Sequence, residues 1–597
     1  MIRAERRRPA FDAMLLTRAG LAWALACVLL LVTGMSGILA NRFPDPDDAL
    51  RLVQVRDLLG GQGWFDLTQH RIDAWHGGVP MHWSRIADLP LAGTILLLTP
   101  LLGGALAEQV AIVLVPLLTL GLTMLLAGRI AWRLIGEEAA TYTCLVLAMT
   151  VPVVAQMRPL RIDHHGWQIV AVLVAVNALM ARSPRLGGWV AGLALATGLA
   201  ISIEGLPLAA AIAGLAALRW FRGPRERDLF TGLLQGLALG SAALFAATRG
   251  FADLANHCDA ISPVHLAAFG WGAAVVSLLR IVKPMPVVPT LAVFAVAAGG
   301  ALALVLGYSP RCATGSFDML DPVVRAFWYD RVDEGRPIWY QDPATALQIV
   351  VPIGIAIAAT LKLVRQSGDW LHRWWQDYAL LLGAAFVIAL LVARAGAVAG
   401  ALASVPLGWQ LRQWIAALRR KSATGKRALA MVGIVLALLP ATPFTFATLV
   451  APGKAHSSSQ KLAIGAPQRA SGCQISKAAA ILNELPRGDI LAPLDIGPRL
   501  LLETPHTVVA TGHHRGAPAM RAVIDAFTGS PDAARAIMRQ RGIDYLALCP
   551  DLSEPRLYAQ AAPNGFAAQL RAGEVPSWLE PVAMPMGVDL RVWKVRP

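Results

Sequence analysis

Charge is scarce in this chain: only 15 % of its 597 residues are Asp, Glu, Lys or Arg, while 56 % are hydrophobic. A soluble protein of this length would divide into a few domains of ordinary polarity, and that class is excluded. No small-residue cleavage site follows the first apolar run, roughly Leu16 to Leu39, so it reads as a retained helix and not as a signal peptide. Zinc-ligand spacings, a phosphate-binding glycine loop, a nucleophile elbow and a dinucleotide fingerprint are all missing where they would have structural meaning; the Gly60-Gly61-Gln62-Gly63 run reads as a helix-ending turn. Cysteine is sparse, with six residues. Cys27 and Cys144 fall inside apolar runs and read as packing residues. Cys258, Cys312, Cys473 and Cys549 leave room for two disulfides in an oxidising compartment, with the pairing open.

What the chain has instead is a series of apolar runs near the length needed to cross about 30 Å of hydrocarbon. After the first, twelve more follow at about 107–128, 139–156, 167–181, 187–203, 205–218, 229–247, 264–279, 287–307, 344–361, 378–393, 396–411 and 428–450. The expected fold is a polytopic α-helical membrane protein of about 13 transmembrane helices, residues 1–450, followed by an extracytoplasmic α/β domain, residues 451–597. The net charge of +15 does not point to nucleic acid, because the basic residues gather in every second loop. Arg3, Arg6, Arg7 and Arg8 precede the first run; Arg129 and Arg133, Arg182 and Arg185, Arg219 to Arg227, Arg280 and Lys283, Lys362 to Arg373, and Arg419 to Arg427 follow. This positive-inside pattern sets the amino terminus in the cytoplasm and, with an odd number of spans, the carboxyl-terminal domain outside.

The loops assigned to the outside are the acidic ones. The first, about 40–106, opens on Asp45-Pro46-Asp47-Asp48-Ala49-Leu50-Arg51, continues through His82-Trp83-Ser84-Arg85, and ends in an apolar stretch interrupted by Pro90 and Pro100. A short one carries Arg161-Ile162-Asp163-His164-His165; others carry Glu204, then Asp253, His257 and Asp259, then Asp318, Asp321, Arg325, Asp330, Asp333 and Glu334. Arg394 stands at the outer end of a late span. Carboxylates at the mouth of a bilayer are costly to desolvate and usually serve an ion, a substrate or a proton. Asp47 and Asp163, with His164 or His165, are suited to a hard divalent cation, Mg²⁺ or Mn²⁺. Such an ion would neutralise a phosphate leaving group, and Arg394 would fork onto the same oxygens. The plainer reading of Asp45 to Asp48 is a helix cap with Pro46 in the first turn, which does not exclude chemistry; that of Asp-His-His is a structural turn.

These motifs resemble the GT-C superfamily of membrane glycosyltransferases, and within it the catalytic subunit of oligosaccharyltransferase. The likeness covers most of the membrane part: a short amino end, thirteen helices, an acidic motif just after the first helix, a second between the third and fourth, a long late loop and a soluble carboxyl-terminal domain. It implies that Asp47, or Asp45, is metal ligand and acceptor activator, that Asp163 is the second-motif ligand with His164 or His165 replacing an acidic residue, and that Arg394 binds donor phosphate. The segment from His82 to Arg85 resembles the stretch closing the first loop. Asp48, Arg51, His82, Arg85, Glu334, His513 and His514 are expected substrate contacts, Glu334 as a loose counterpart of the family's late-loop glutamate. In protein N-glycosylating members a Trp-Trp-Asp motif in the soluble domain grips the acceptor. Here Trp374-Trp375-Gln376-Asp377 falls on the cytoplasmic side and reads as a pair of interfacial tryptophans, so asparagine as acceptor is unsupported.

In the carboxyl-terminal domain, apolar runs at Ile490 to Leu494, Thr507 to Thr511, Tyr545 to Leu548 and Val588 to Val595 predict strands. Helical spacing covers Lys477 to Leu485, Ala517 to Phe527 and Pro531 to Arg541, the last started by Ser530-Pro531 and stopped by Gly542. Gly512-His513-His514-Arg515-Gly516 follows a predicted strand, either facing the site or as a solvated turn. The expected activity is metal-dependent transfer of a hexose or glycan from a polyprenyl-phosphate or polyprenyl-diphosphate donor, on the outer face of a bacterial cytoplasmic membrane. Its partners are then the lipid-linked donor and membrane lipids, with the acceptor open. A transporter is the other class to weigh; it would show inverted repeats and charges near mid-bilayer, and no convincing repeat is present.

Overall fold

The computed structural model of the protein describes residues 11–282, 284–313, 315, 317, 320–421, 423–450 and 473–596. Arg3, Arg6, Arg7, Arg8, Lys283 and Asp318, and the start of the expected carboxyl-terminal domain at residue 451, lie outside the described residues.

The chain is a polytopic α-helical membrane protein with a carboxyl-terminal α/β domain. By compactness it forms two units: residues 1–42, 84–314 and 333–465, and residues 43–83, 315–332 and 466–597. In the first unit, ten helices among the described residues are long and apolar enough to cross a membrane, from Ala13–Leu39 to Asp369–Leu391. Other expected spans fall on the shorter helices Glu137–Met149, His165–Ala178 and Thr424–Leu438, and on Gly396–Arg419. The stretch expected to be broken by two prolines is an unbroken helix, Leu89–Leu102. Pro90 sits in its first turn, where no N–H partner is required, so only Pro100 is interior.

Side-chain size fixes the tightest helix pair. Pro184–Ile201 and Pro224–Thr248 approach so closely that a Cβ on Gly188 or Gly192 would stand 2.1 Å from the carbonyl oxygen of Leu229 or Leu233. Gly232 and Gly236 return the contact against Arg185 and Trp189. Small residues four apart on both faces let backbones meet where lipid supplies no hydrophobic drive between helices.

The second unit is built on a five-stranded sheet. Its first loop forms a small antiparallel pair, β1 (Thr68–Gln69) and β2 (Val79–Pro80). The main strands are β3 (Asp489–Leu491), β4 (Thr507–Val508), β5 (Tyr545–Leu548), β6 (Leu579–Val582) and β7 (Arg591–Val595), in the order β4-β3-β5-β7-β6. The β3–β4 and β3–β5 pairs are parallel, and β7 is antiparallel to both its neighbours. Residues 71–73 lie along the outer edge of β4: Val508 N–H donates to Arg71 O and Asp73 N–H to Val508 O, both at 2.9 Å. The first loop thus covers the edge that would otherwise expose unpaired backbone. Arg541 on Asp73 at 2.8 Å and Arg56 on the Leu502 carbonyl at 2.7 Å hold it there. The segment before residue 333 joins the same core: Val324 is fully buried among Met520, Phe527 and Tyr558, and Asp321 pairs with Arg521 at 2.9 Å.

Helix Pro531–Arg541 has the predicted bounds, with Ser530 Oγ accepting from Ala533 N–H at 3.2 Å and Gly542 at φ 66° closing it. Disulfides join Cys258 to Cys312 and Cys473 to Cys549, and Cys27 and Cys144 are free.

Candidate active site

The second acidic motif is a buried cluster in the membrane unit. Leu160 adopts φ 69°, a left-handed conformation costly for a branched side chain, and its N–H donates to Ile112 O at 3.0 Å. The chain turned there delivers Arg161, Asp163, His164 and His165 to the amino end of helix His165–Ala178. Gly166 permits the approach: a Cβ there would meet Thr119 at 3.2 Å and the Gln156 carbonyl at 3.4 Å. Asp163, His164 and His165 are 5 %, 5 % and 7 % exposed. His164 Nδ1 stands 2.7 Å from Asp163 Oδ1 and His165 Nε2 stands 3.2 Å from Asp163 Oδ2, with the two imidazole centroids 4.3 Å apart. One ligand atom from each side chain can reach a common ion.

Around this cluster lies a charged rim from distant parts of the same unit. Glu334 Oε1 is 3.8 Å from His165 Nε2 and 3.7 Å from Arg394 Nη1, and its Oε2 is 3.8 Å from Arg161 Nη2. Arg394 Nη1 also reaches Glu204 Oε1 at 3.1 Å. Arg394 occupies the turn Ala393–Ala395 between two long helices, and the backbone bond from Ala393 N–H to Arg336 O, 3.0 Å, ties that turn to the Glu334 loop. Burial alone would raise the Glu334 carboxyl; His165, Arg161 and Arg394 outweigh it and hold it well below the usual carboxylate range.

The structure therefore brings Asp163, His164, His165, Glu334 and Arg394 together in one unit. Glu204 and Arg161 join them, although sequence reasoning gave them no role. A lone glutamate between two apolar helices was the available signal for Glu204. Arg85 is in this unit too, buried and 3.5 Å from Asp88.

The remaining expected residues belong to the second unit. Asp45 caps helix Pro46–Leu59, its carboxylate accepting from Asp47 N–H at 3.0 Å, with Pro46 in the first turn. Asp47 and Asp48 occupy that first turn, and Asp48 is fully buried. The guanidinium of Arg51 lies over Trp83, 4.7 Å from the ring centre. His82, His513 and His514 converge on one another.

The Trp374-Trp375 pair is no interfacial belt: the two side chains are 7 % and 0 % exposed, inside the helical core. Asp377 is held by both Arg222 nitrogens at 2.6 Å, which leaves that motif structural.

No family model matches the chain, and no curated protein matches it in sequence. Among solved structures, the oligosaccharyltransferase AglB of Archaeoglobus fulgidus, in complex with an inhibitory peptide and a dolichol-phosphate, superimposes with a TM-score of 0.64 at 12 % identity, covering 94 % of this chain and 72 % of that one. The apo form gives 0.64 at 13 % identity, over 94 % and 73 % of the two chains. The same enzyme tethered to an acceptor peptide with an NVT sequon gives 0.62 at 13 % identity, over 95 % and 73 %. At such identities the likeness establishes the fold alone, shared with the archaeal oligosaccharyltransferase over most of this chain.

Proposed function

We propose that this chain is an integral-membrane glycosyltransferase that moves a sugar or oligosaccharide from a polyprenyl-phosphate or polyprenyl-diphosphate donor to an acceptor on the outer face of a bacterial cytoplasmic membrane. The observation that carries the reading is the buried Asp163–His164–His165 cluster with Glu334 and Arg394 beside it. A donor set of one carboxylate and two imidazoles suits a divalent ion, Mn²⁺ better than Mg²⁺ because Mg²⁺ favours oxygen. His164 Nδ1 and His165 Nε2 lie 2.7 and 3.2 Å from the two Asp163 oxygens, so these three side chains are the ones that would hold such an ion. When bound, the ion would stabilise charge on the departing lipid phosphate.

The chain's own residues supply the rest. Arg394 is positioned by Glu204 and Glu334 to fork onto phosphate oxygens. Glu334 keeps Arg161, His165 and Arg394 oriented while the donor is absent. Asp47, with Asp45 capping the helix that carries it, keeps the acceptor-activating role expected from its place after the first span. Outward orientation of the site is supported by the Cys258–Cys312 and Cys473–Cys549 bonds, which suit an oxidising compartment, and by the basic loops. Lipid-carried sugar is the donor class available there, since nucleotide sugars are confined to the cytoplasm.

The test is sugar transfer by purified protein in lipid, with a panel of polyprenyl-linked donors and titrated Mn²⁺ or Mg²⁺, comparing the native chain with Asp47→Ala and Asp163→Ala. Loss of metal-dependent lipid-phosphate release in both folded variants is expected. Unchanged metal binding and turnover in both would overturn the reading and favour transport.

A further inference from the structure

The second unit contains a group of imidazoles, expected from the sequence to touch substrate, to which the proposed transfer step gives no role. His82 follows β2, and His513 and His514 follow β4; the three rings form a nearly equilateral triangle, with centroids 5.0, 4.9 and 4.9 Å apart. His82 Nδ1 and His513 Nε2 are 2.9 Å apart, and one nitrogen of each ring lies within 4.8 Å of the other two. His513 is 3 % exposed.

The surroundings hold these rings in place from several sides. Trp83 packs on His82 and, edge-on, on His513, at 5.3 and 5.4 Å, and Phe317 meets His514 edge-on at 4.9 Å. Arg51 lies over the Trp83 ring, 4.7 Å from its centre. Glycine at both ends of the 512–516 loop lets it lie close: a Cβ on Gly512 would stand 2.9 Å from Trp328 Nε1, and one on Gly516 3.3 Å from Val79. Arg515 donates to the Met81 carbonyl at 3.4 Å. Three mutually touching imidazoles cannot all carry protons without strong repulsion. Plain apolar packing would not call for three polar rings with their nitrogens turned to a common centre.

We propose that His82, His513 and His514 form a zinc-class transition-metal site that clips the first loop to the carboxyl-terminal sheet. Three neutral imidazoles are a donor set for Zn²⁺, and they suit Mg²⁺ or Ca²⁺ poorly. Tetrahedral Zn–N bonds of 2.0–2.1 Å place ligand nitrogens about 3.3 Å apart, within small side-chain rotations of the observed geometry. Three protein ligands leave a fourth position for water or an anionic group. The site shares no residue with the Asp163 cluster and stands whether or not that cluster performs glycosyl transfer. His82 is 431 residues from His513 and its neighbour His514 follows directly, which is why no zinc spacing is visible there.

The experiment uses full-length protein in nanodiscs, stripped with EDTA and titrated with ZnCl₂, with bound zinc counted by mass spectrometry of the metal. The chain carrying Asp163→Asn, His164→Gln and His165→Gln, which lacks the ligands of the other cluster, is compared with the same chain carrying His514→Gln or His82→Gln/His514→Gln in addition, with circular dichroism and size exclusion as folding controls. The expected result is one equivalent of zinc held by the first protein, at least tenfold weaker binding once His514→Gln is added, and loss of that equivalent with His82→Gln/His514→Gln. X-ray absorption of the first protein loaded with zinc should then show histidine scattering with nitrogens near 2.0–2.1 Å. Equal zinc affinity in all three proteins, or zinc in the first that shows no histidine scattering, would overturn the proposal; the absorption measurement decides it even where the protein with His82→Gln/His514→Gln fails to fold.

Discussion

Oε1 of Glu334 lies 3.7 Å from Nη1 of Arg394, although 60 positions and two long helices separate them in the chain. The guanidinium proposed to grip donor phosphate is thus already paired with an anion that the phosphate must share or displace. Replacing Arg394 by Lys keeps the charge and removes the fork, so the change is not conservative at this position. Charge-assisted hydrogen bonds contribute about 1.5–3 kcal/mol each, so Arg394→Lys is expected to raise the donor KM by about 10–100-fold. An unchanged KM in a steady-state assay would remove Arg394 from the phosphate site.

In the proposed function Glu334 acts as a positioning residue. Glu334→Gln keeps its shape and removes the charge that orients His165, Arg161 and Arg394, so divalent-ion affinity should weaken by about 10–100-fold, as for other residues behind metal ligands. Because its carboxyl titrates below the usual range in the folded chain, it stabilises the fold above its ordinary unfolded value, and that contribution is lost only as pH falls through the lower folded value. Melting curves of native and Glu334→Gln protein should therefore differ at pH 6 and converge in strong acid.

The Gly188 and Gly192 contacts make a prediction about packing alone. A methyl group at Gly192 would overlap the Leu233 carbonyl at 2.1 Å, and the partner is backbone, which cannot rotate away. Gly192→Ala should cost about 1–3 kcal/mol or more, as overpacking does. Thermal unfolding in detergent would report it, and an unchanged melting temperature would mean that the helices can separate freely.

The fold was legible where composition and period act locally. The recurrent apolar runs announced a membrane protein, and Ser530-Pro531 with Gly542 bounded their helix to the residue because cap chemistry is local. The first loop's attachment to β4 was not legible, since edge pairing through residues 71–73 depends on backbone and leaves no side-chain pattern. Nor was β6, whose Pro581 argues against a strand interior yet sits in an edge strand, where one side of the ladder is unused. In the site, Asp163, His164 and His165 were visible because polar residues interrupted an apolar background. Glu204 and Arg161 were not assigned roles because only folding sets them beside Glu334 and Arg394.

The carboxyl-terminal domain carries its own pH dependence. Burial and the neighbouring Asp495 push the Glu554 carboxyl up to about 8, against the hydrogen bonds that it accepts from Tyr558 and from the N–H groups of Leu494 and Asp495 at 2.8 and 2.9 Å. A carboxyl raised in the folded state binds a proton that the unfolded chain, titrating near 4.5, has released. Its stabilising contribution is therefore complete below about pH 4.5 and is lost as pH rises toward about 8. Glu554→Gln mimics the protonated form in shape and cannot ionise, so the melting temperature of this domain should fall between pH 5 and 9 in the native chain and stay flatter in the variant. Parallel profiles for the two proteins would mean that Glu554 is ionised in its pocket, with the three donors outweighing burial.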